Sequence, residues 1–252
     1  MNILHISPYF PSVRTNHAGG VCMGKQIEAL KKKNKVYVLT FIASSFDKEL
    51  AKEYGNDKNY EYVTIWKWTK GLHIIMEPFL PNYFAARSSF RFAFKLIKMV
   101  KKYHIEVIHA EYASMGQYMW IKKIFPGLKF NLAEHDVTVQ SYERKVDMCS
   151  GGKKIYFYYQ YKLISLYEKK YCRAADILFT FNNKDRKLIK QYYGRENTHV
   201  IIPYFGLDDD IVLNEINKKR QYAAVCFMGQ MGRDENYLAA MRLKISLLHL
   251  SS

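Results

Sequence analysis

Cysteine is sparse and shows no pairing pattern. Cys22, Cys149, Cys172 and Cys226 are the only four in 252 residues, irregularly spaced and without a C-x-x-C pair. That argues against a zinc ribbon and a disulfide framework, and suits a reducing, cytoplasmic setting. Long apolar runs are missing too. No stretch approaches the ~18 apolar residues of a transmembrane helix, and the opening "NILHI" is too short and too soon broken for a signal peptide. There is no G-x-G-x-x-G and no P-loop, so the dinucleotide and kinase fingerprints do not apply. Neither an internal repeat nor a low-complexity segment is present. Acidic side chains are in deficit, 23 against 39 Lys and Arg, for a net charge of +16. Such a chain attracts phosphate, nucleic acid or an acidic lipid surface. No RNP-like or helix-turn-helix signature accompanies the basic residues, so nucleic acid is not an expected partner.

What is present is alternation. With 49% apolar residues, the chain can build a packed core. Strands are expected at 2–7, 35–40, 62–68, 106–110, 130–133, 176–180 and 199–203. Helical periodicities are expected at 20–32, 82–103, 114–124, 153–174 and 184–193. Short β-rich runs between amphipathic stretches predict βαβ units: an α/β, Rossmann-like, doubly wound and mainly parallel sheet. Residues 1–203 form that domain. Residues 204–222 are polar and charged and read as a linker. From 223 to 252, "AAVCFMG" and the helix after it look like the start of a second, incomplete Rossmann-like domain, because one strand and one helix cannot bury a core of their own.

Ligands of open parallel sheets bind at the carboxyl ends of the strands, so the residues that follow each strand are the candidates. After the first strand comes an overlong loop, "SPYFPSVRTNHAGGVCMG". It carries Arg14 and His17 as acceptor-side candidates, with Gly19 and Gly20 where a backbone can approach an anion at a helix N-terminus. Glu111 follows the fourth strand. Glu134, His135 and Asp136 follow the fifth, and a His beside carboxylates suits acid/base work or a sugar hydroxyl. His109 lies within a strand and reads as structural. No His and acidic residues share a convincing metal spacing, so no metal is expected. Arg87, Arg91, Lys95, Lys98 and Lys102 recur at three and four along 82–103, which places a basic stripe on one helical face that could rest on anionic lipid.

Together these segments resemble the GT-B glycosyltransferases known as group 1 or family 4. "MNILHISPYFPSVRTNHAGGVCMGKQIEALKKKNKVYVLT" is similar to that family's opening, "EVIHAEYAS" to its "D-V-I-H-A" segment, and "EHDVTVQSYERK" to its "E-H-(N/D)-V" segment. "EKKYCRAADILFTFNNKDRKLIKQYYG" with "VIIPYFGLD", and "CFMGQMGRDENYLAAMRL", resemble its later passages. The resemblance reaches to about Leu243. It implies two Rossmann-like domains across a cleft, the first for the acceptor and the second for a nucleotide-sugar donor. It also implies no metal, and for many members a place on the inner membrane face, building polysaccharides or glycolipids.

Carried over, Gly19 and Gly20 match the loop that meets the donor diphosphate and acceptor. His135 matches the active-site His at the transferring sugar, and Gly229 the first turn of the donor domain. Asn182 departs from the usual Ser. The basic pair and Glu-x7-Glu segment that grip the donor are not in the chain, so a truncated form with little activity is expected. A non-catalytic acceptor- or membrane-binding module, or a GT-B sugar epimerase, are the alternatives.

Overall fold

A computed structural model describes residues 1–42, 44–55, 57–203 and 237–243. The chain divides into two compact units, Met1–Gly206 and Leu207–Ser252. In the second, 237–243 are helical. The expected linker 204–222 and the strand ending at Gly229 lie outside the described residues.

The first unit is a seven-stranded, all-parallel sheet in the order β3-β2-β1-β4-β5-β6-β7. Its strands are β1 (Asn2–Ser7), β2 (Lys35–Ile42), β3 (Tyr60–Thr64), β4 (Val107–Glu111), β5 (Lys129–Glu134), β6 (Leu178–Thr180) and β7 (His199–Val200). Between them run α1 (Ala18–Lys31), α2 (Ser45–Glu53), α3 (Lys67–Met76), α4 (Asn82–Ala85), α5 (Phe90–Lys102), a 3₁₀ helix (Ala113–Lys123), α6 (Thr138–Met148), α7 (Gly151–Ala174) and α8 (Asn183–Tyr193).

Strand alternation sends Leu4, Ile6, Leu39 and Phe41 to one face, where they pack with Phe92 and Leu96 of α5, Ile164 of α7 and Ile189 of α8. On the other face Ile27 of α1 meets Val36 and Val38, and Leu50 of α2 meets Ile42 and Phe10. The buried positions of α5, Phe92, Leu96, Met99 and Val100, are the i, i+4, i+7, i+8 stripe of a helix lying on a sheet.

Four expectations change. The strand expected over 62–68 ends at Thr64, and Lys67–Met76 is a helix. The single helix expected over 82–103 breaks after Ala85 and restarts at Phe90, where the Ser89 hydroxyl accepts from the Phe92 amide, an N-cap that starts a new helix. The helix expected over 114–124 is wound as 3₁₀. Finally, α2 and α6 are additional elements. Asn182, the departure from the family's Ser, is the N-cap of α8 and accepts from the Asp185 amide at 2.8 Å. Asn caps as well as Ser does, so the substitution preserves the local structure.

Candidate functional site

Between β1 and β4 the direction of sheet growth reverses: β1, β2 and β3 extend one way and β4 to β7 the other. The crevice beyond the carboxyl ends at such a switch point is where ligands sit in this architecture. Here it is walled by the β1–α1 loop, the first turn of α1, Tyr112 and His135.

The loop is anchored along its length. Thr40 Oγ1 donates to the Tyr9 carbonyl at 2.7 Å. Arg87 Nε donates to the Pro8 carbonyl at 3.0 Å, with its guanidinium 4.9 Å from the Tyr9 ring centre. Arg87 is therefore buried in the α4–α5 break and does not belong to the basic stripe expected on 82–103. At the loop's end His17 caps α1, its Nδ1 accepting from the Gly20 amide at 3.0 Å. The Gly20 and Val21 amides also reach the His17 carbonyl. That leaves the Ala18 and Gly19 amides without an acceptor among the described residues, at the positive end of the helix dipole.

Glycine is required at three points of this hairpin-like turn. A Cβ on Gly19 would lie 2.1 Å from Tyr112 Oη. One on Gly20 would lie 2.3 Å from Thr15 Cγ2, and one on Gly24 2.6 Å from the backbone nitrogen of Val13. The first two glycines let the Tyr112 side chain and the capping loop close on α1, and the third lets the loop backbone itself lie on the helix.

Beneath the turn, three imidazoles converge on one carboxylate. Glu111 is fully buried. Its Oε1 lies 3.1 Å from both His5 Nε2 and His109 Nε2, and its Oε2 lies 2.6 Å from His135 Nε2. Register brings them together: β1 and β4 pair His5 with His109, so both point to the same face of the sheet. Burial alone would raise the Glu111 carboxyl, but hydrogen bonds from His109, His135 and His5 overcome it and hold the group well below the usual carboxylate range. Burial lowers the His5 pKa against the pull of Glu111.

His135 stacks on Tyr112 with ring centres 3.8 Å apart and planes at 6°, and Phe181 meets it edge-on at 4.6 Å. Tyr112 holds φ at +68°, a conformation that costs a non-glycine residue about 1–3 kcal/mol and clusters at functional sites. The ring chain His17, Tyr9, Tyr112, His135 thus lines the crevice floor. Cys22, on the buried face of α1, is no nucleophile: burial pushes its thiol up to about 11.

Gly19, Gly20, His17, Glu111 and His135 are therefore brought together. Asp136 follows His135 and is exposed. Arg14 is turned outward onto Glu53 of α2 at 2.7 Å, and Gly229 lies outside the described residues. Glu134 is turned away. It is buried on the opposite face, accepting from the Cys172 thiol at 3.3 Å, beneath α7. Two members of the site are not sequence candidates, His5 and His109; Tyr112 follows the fourth strand beside Glu111 and joins the site from there. The shared strand register of the two histidines is the signal that could have found them. His5 Nε2, His109 Nε2 and a Glu111 oxygen lie within 4.8 Å of one another, a donor set suited to a zinc-type ion, though their mutual hydrogen bonds already satisfy these atoms.

Burial, with the nearby charge of Glu168, pushes the Glu134 carboxyl well above its ordinary 4.5. Above 4.5 the unfolded chain has released a proton that the folded chain still holds, so this group makes stability fall as pH rises toward its folded pKa. Glu134→Gln flattens that slope. In thermal melts the two proteins should agree below about pH 4, and the variant should be increasingly the more stable as pH rises above that. Parallel curves would show that Glu134 is ionised in the fold.

Residues 22–210 match the pattern that defines Glycosyltransferase Family 4. No curated protein matches the chain. Among solved structures, HepE from Anabaena in complex with UDP is similar at 14% identity, over 86% of this chain and 49% of its own, with a TM-score of 0.50. A sucrose-phosphate synthase from Thermosynechococcus elongatus is similar at 16% identity, over 81% and 48%, with a TM-score of 0.49. UGT89C1 from Arabidopsis thaliana complexed with UDP-L-rhamnose is similar at 9% identity, over 82% and 53%, with a TM-score of 0.46. At these identities the likeness is one of fold, and the chain spans about half the length of the structures it matches.

Proposed function

The chain belongs to glycosyltransferase family 4, and from that membership we propose that its first unit is the acceptor-side half of an enzyme that moves a sugar from a nucleotide-sugar to a polysaccharide or lipid-linked acceptor in cell-envelope or capsule assembly. The observation that carries the reading is the convergence at the β1/β4 switch point of a tightly packed α1 N-terminus with the His135–Glu111 pair. The Ala18 and Gly19 amides offer donors to a diphosphate or to charge developing on it. His135 offers a polar atom to the sugar. A nucleoside diphosphate is the group with which the similarly folded HepE is solved.

No metal is assigned to the step, since positioning and these fixed dipoles supply the stabilisation. Transfer of labelled sugar from a panel of UDP- and GDP-sugars to a membrane extract tests the whole reading. A chelator should leave any turnover within twofold. A dependence on added divalent ion would instead make the three-histidine cluster a metal site.

A second observation favours a lipid-linked acceptor presented from the cytoplasmic membrane face. Among the described residues no helix is long and apolar enough to cross a membrane. Yet large apolar groups stand exposed on α3, on the turn after it and on α5: Trp68, Ile75, Met76, Phe79, Phe90 and Phe94. The Ser88 hydroxyl donates to Glu77 at 2.9 Å, tying the end of α3 to the start of α5. Exposed Arg91, Lys98 and Lys102 share the α5 surface. Apolar side chains beside basic ones are what an interfacial helix offers to anionic lipid.

The protein should therefore sediment with phosphatidylglycerol vesicles and not with phosphatidylcholine ones. Phe79→Ser and Phe90→Ser should each weaken binding about tenfold, from roughly 1.5 kcal/mol of lost burial. Equal binding to both vesicle types would remove this reading.

A further inference from the structure

The contacts of Glu111 constrain His135 more than proximity alone. A carboxylate only accepts hydrogen bonds. With Glu111 Oε2 2.6 Å from His135 Nε2, that nitrogen must carry the proton, and in the neutral ring Nδ1 is left as a lone pair. A half-turn of the ring keeps its plane but puts a ring carbon against Glu111 in place of Nε2 and loses that hydrogen bond, and intermediate angles break the stack on Tyr112 and the edge contact with Phe181. Nδ1 faces the first turn of α1, since a Cβ on Gly19 would lie 3.6 Å from it. Among the described residues no group bonds to it. The second carboxylate oxygen is held in turn by His5 and His109, both at 3.1 Å, so Glu111 cannot swing away from His135.

We propose that Glu111 is a positioning residue that fixes His135 as its Nε2–H tautomer, so that Nδ1 accepts a hydrogen bond from a sugar hydroxyl held against the first turn of α1. This rests on the sugar-transfer reading above. It adds a direction to the contact: His135 receives a proton's hydrogen bond there and does not give one. A ligand presenting only an acceptor at that point, such as a carboxylate oxygen, would meet a lone pair and be rejected. Neutral hydroxyls are selected for the same reason. His5 and His109 support the arrangement by saturating the remaining side of Glu111.

The test is the long-range proton–nitrogen spectrum of the histidine rings in the uniformly ¹⁵N-labelled full chain at neutral pH, with His135→Ala used only to identify the His135 signals. The expected result is an Nε2–H pattern with an unprotonated Nδ1 in the native protein, and loss of that single-tautomer pattern in Glu111→Gln, whose amide presents a donor as well as an acceptor. An Nδ1–H or imidazolium pattern in the native protein overturns the proposal without any variant, and so does an unchanged pattern in a folded Glu111→Gln. UDP-glucose and GDP-mannose are then added. A shift of the Nδ1 resonance in the native protein, absent or smaller in Glu111→Gln, supports the sugar contact. If neither donor moves Nδ1, the sugar contact falls while the tautomer result stands separately.

Discussion

In a full-length enzyme that carries the donor-side half, His135→Ala should lower sugar transfer by about 10²–10³-fold, the usual loss when one oriented hydrogen-bonding group is taken from a transition state. The fold should survive. The ring is almost buried but sits at the rim of the sheet, after the last residue of β5, packed between Tyr112 and Phe181. Truncation therefore opens a space that borders the crevice and leaves the main apolar cluster untouched. Glu111 loses one of three partners and keeps His5 and His109. The comparison is of initial rates of labelled-sugar transfer at saturating donor, with circular dichroism as the control for folding. A folded variant retaining more than about a third of native activity would place the chemistry elsewhere in the crevice. His135→Asn keeps a polar group near the same place and should recover part of the loss; equal losses in both variants would mean that an amide cannot serve in place of the imidazole.

Much of this was legible in the sequence, and what was not has identifiable causes. β1 spans the expected residues because its short apolar run is bounded on both sides by polar and turn-forming positions. Trp, Ile and Val favour strands, which is why composition extends β3 to residue 68. The pairing partner decides: β2 ends opposite Thr64, and an edge strand with no further ladder has nothing to extend along.

Glu111 and Glu134 looked equivalent, two acids at neighbouring strand ends. The register pairs Glu111 with Ala133, so Glu134, one residue further on, faces the other side of the sheet. Composition cannot reveal that offset. The His5–His109 pairing was hidden for the same reason, since more than a hundred residues separate two side chains that the β1–β4 ladder places side by side. Arg87 fits a basic helical stripe by spacing. Only the break at Ser89 frees it to turn inward and hold the opening loop.

The opening loop itself yields the other large effect. Its glycine pair draws the eye as a ligand-binding turn, yet Gly24, one helical turn further on, should be the least replaceable of the three. At Gly19 a new Cβ meets the end of the Tyr112 side chain, and at Gly20 it meets the side chains of Thr15 and His17. Side chains can move, at the expense of the Tyr112–His135 stack in the first case and the α1 cap in the second. At Gly24 a Cβ would lie 2.6 Å from Val13 N and 2.7 Å from Ser12 C, so the obstruction is backbone. The loop must lift from α1 as a body. Gly24→Ala should thus destabilise the protein by roughly 1–3 kcal/mol, in the range of an overpacked site, although alanine favours a helix interior over glycine by about 1 kcal/mol. Lifting the loop also shifts His17 and the α1 N-terminus relative to His135, and about 1 Å of misplacement there is enough for a loss of ~10²-fold in transfer. Denaturant unfolding and transfer rates measured on Gly24→Ala and Gly19→Ala separate the two roles. Gly24→Ala should lose both stability and activity, and Gly19→Ala should lose chiefly activity through Tyr112. If Gly24→Ala is instead more stable than the native protein, helix propensity has outweighed the contact, and the loop does not rest on α1 as closely as these distances require.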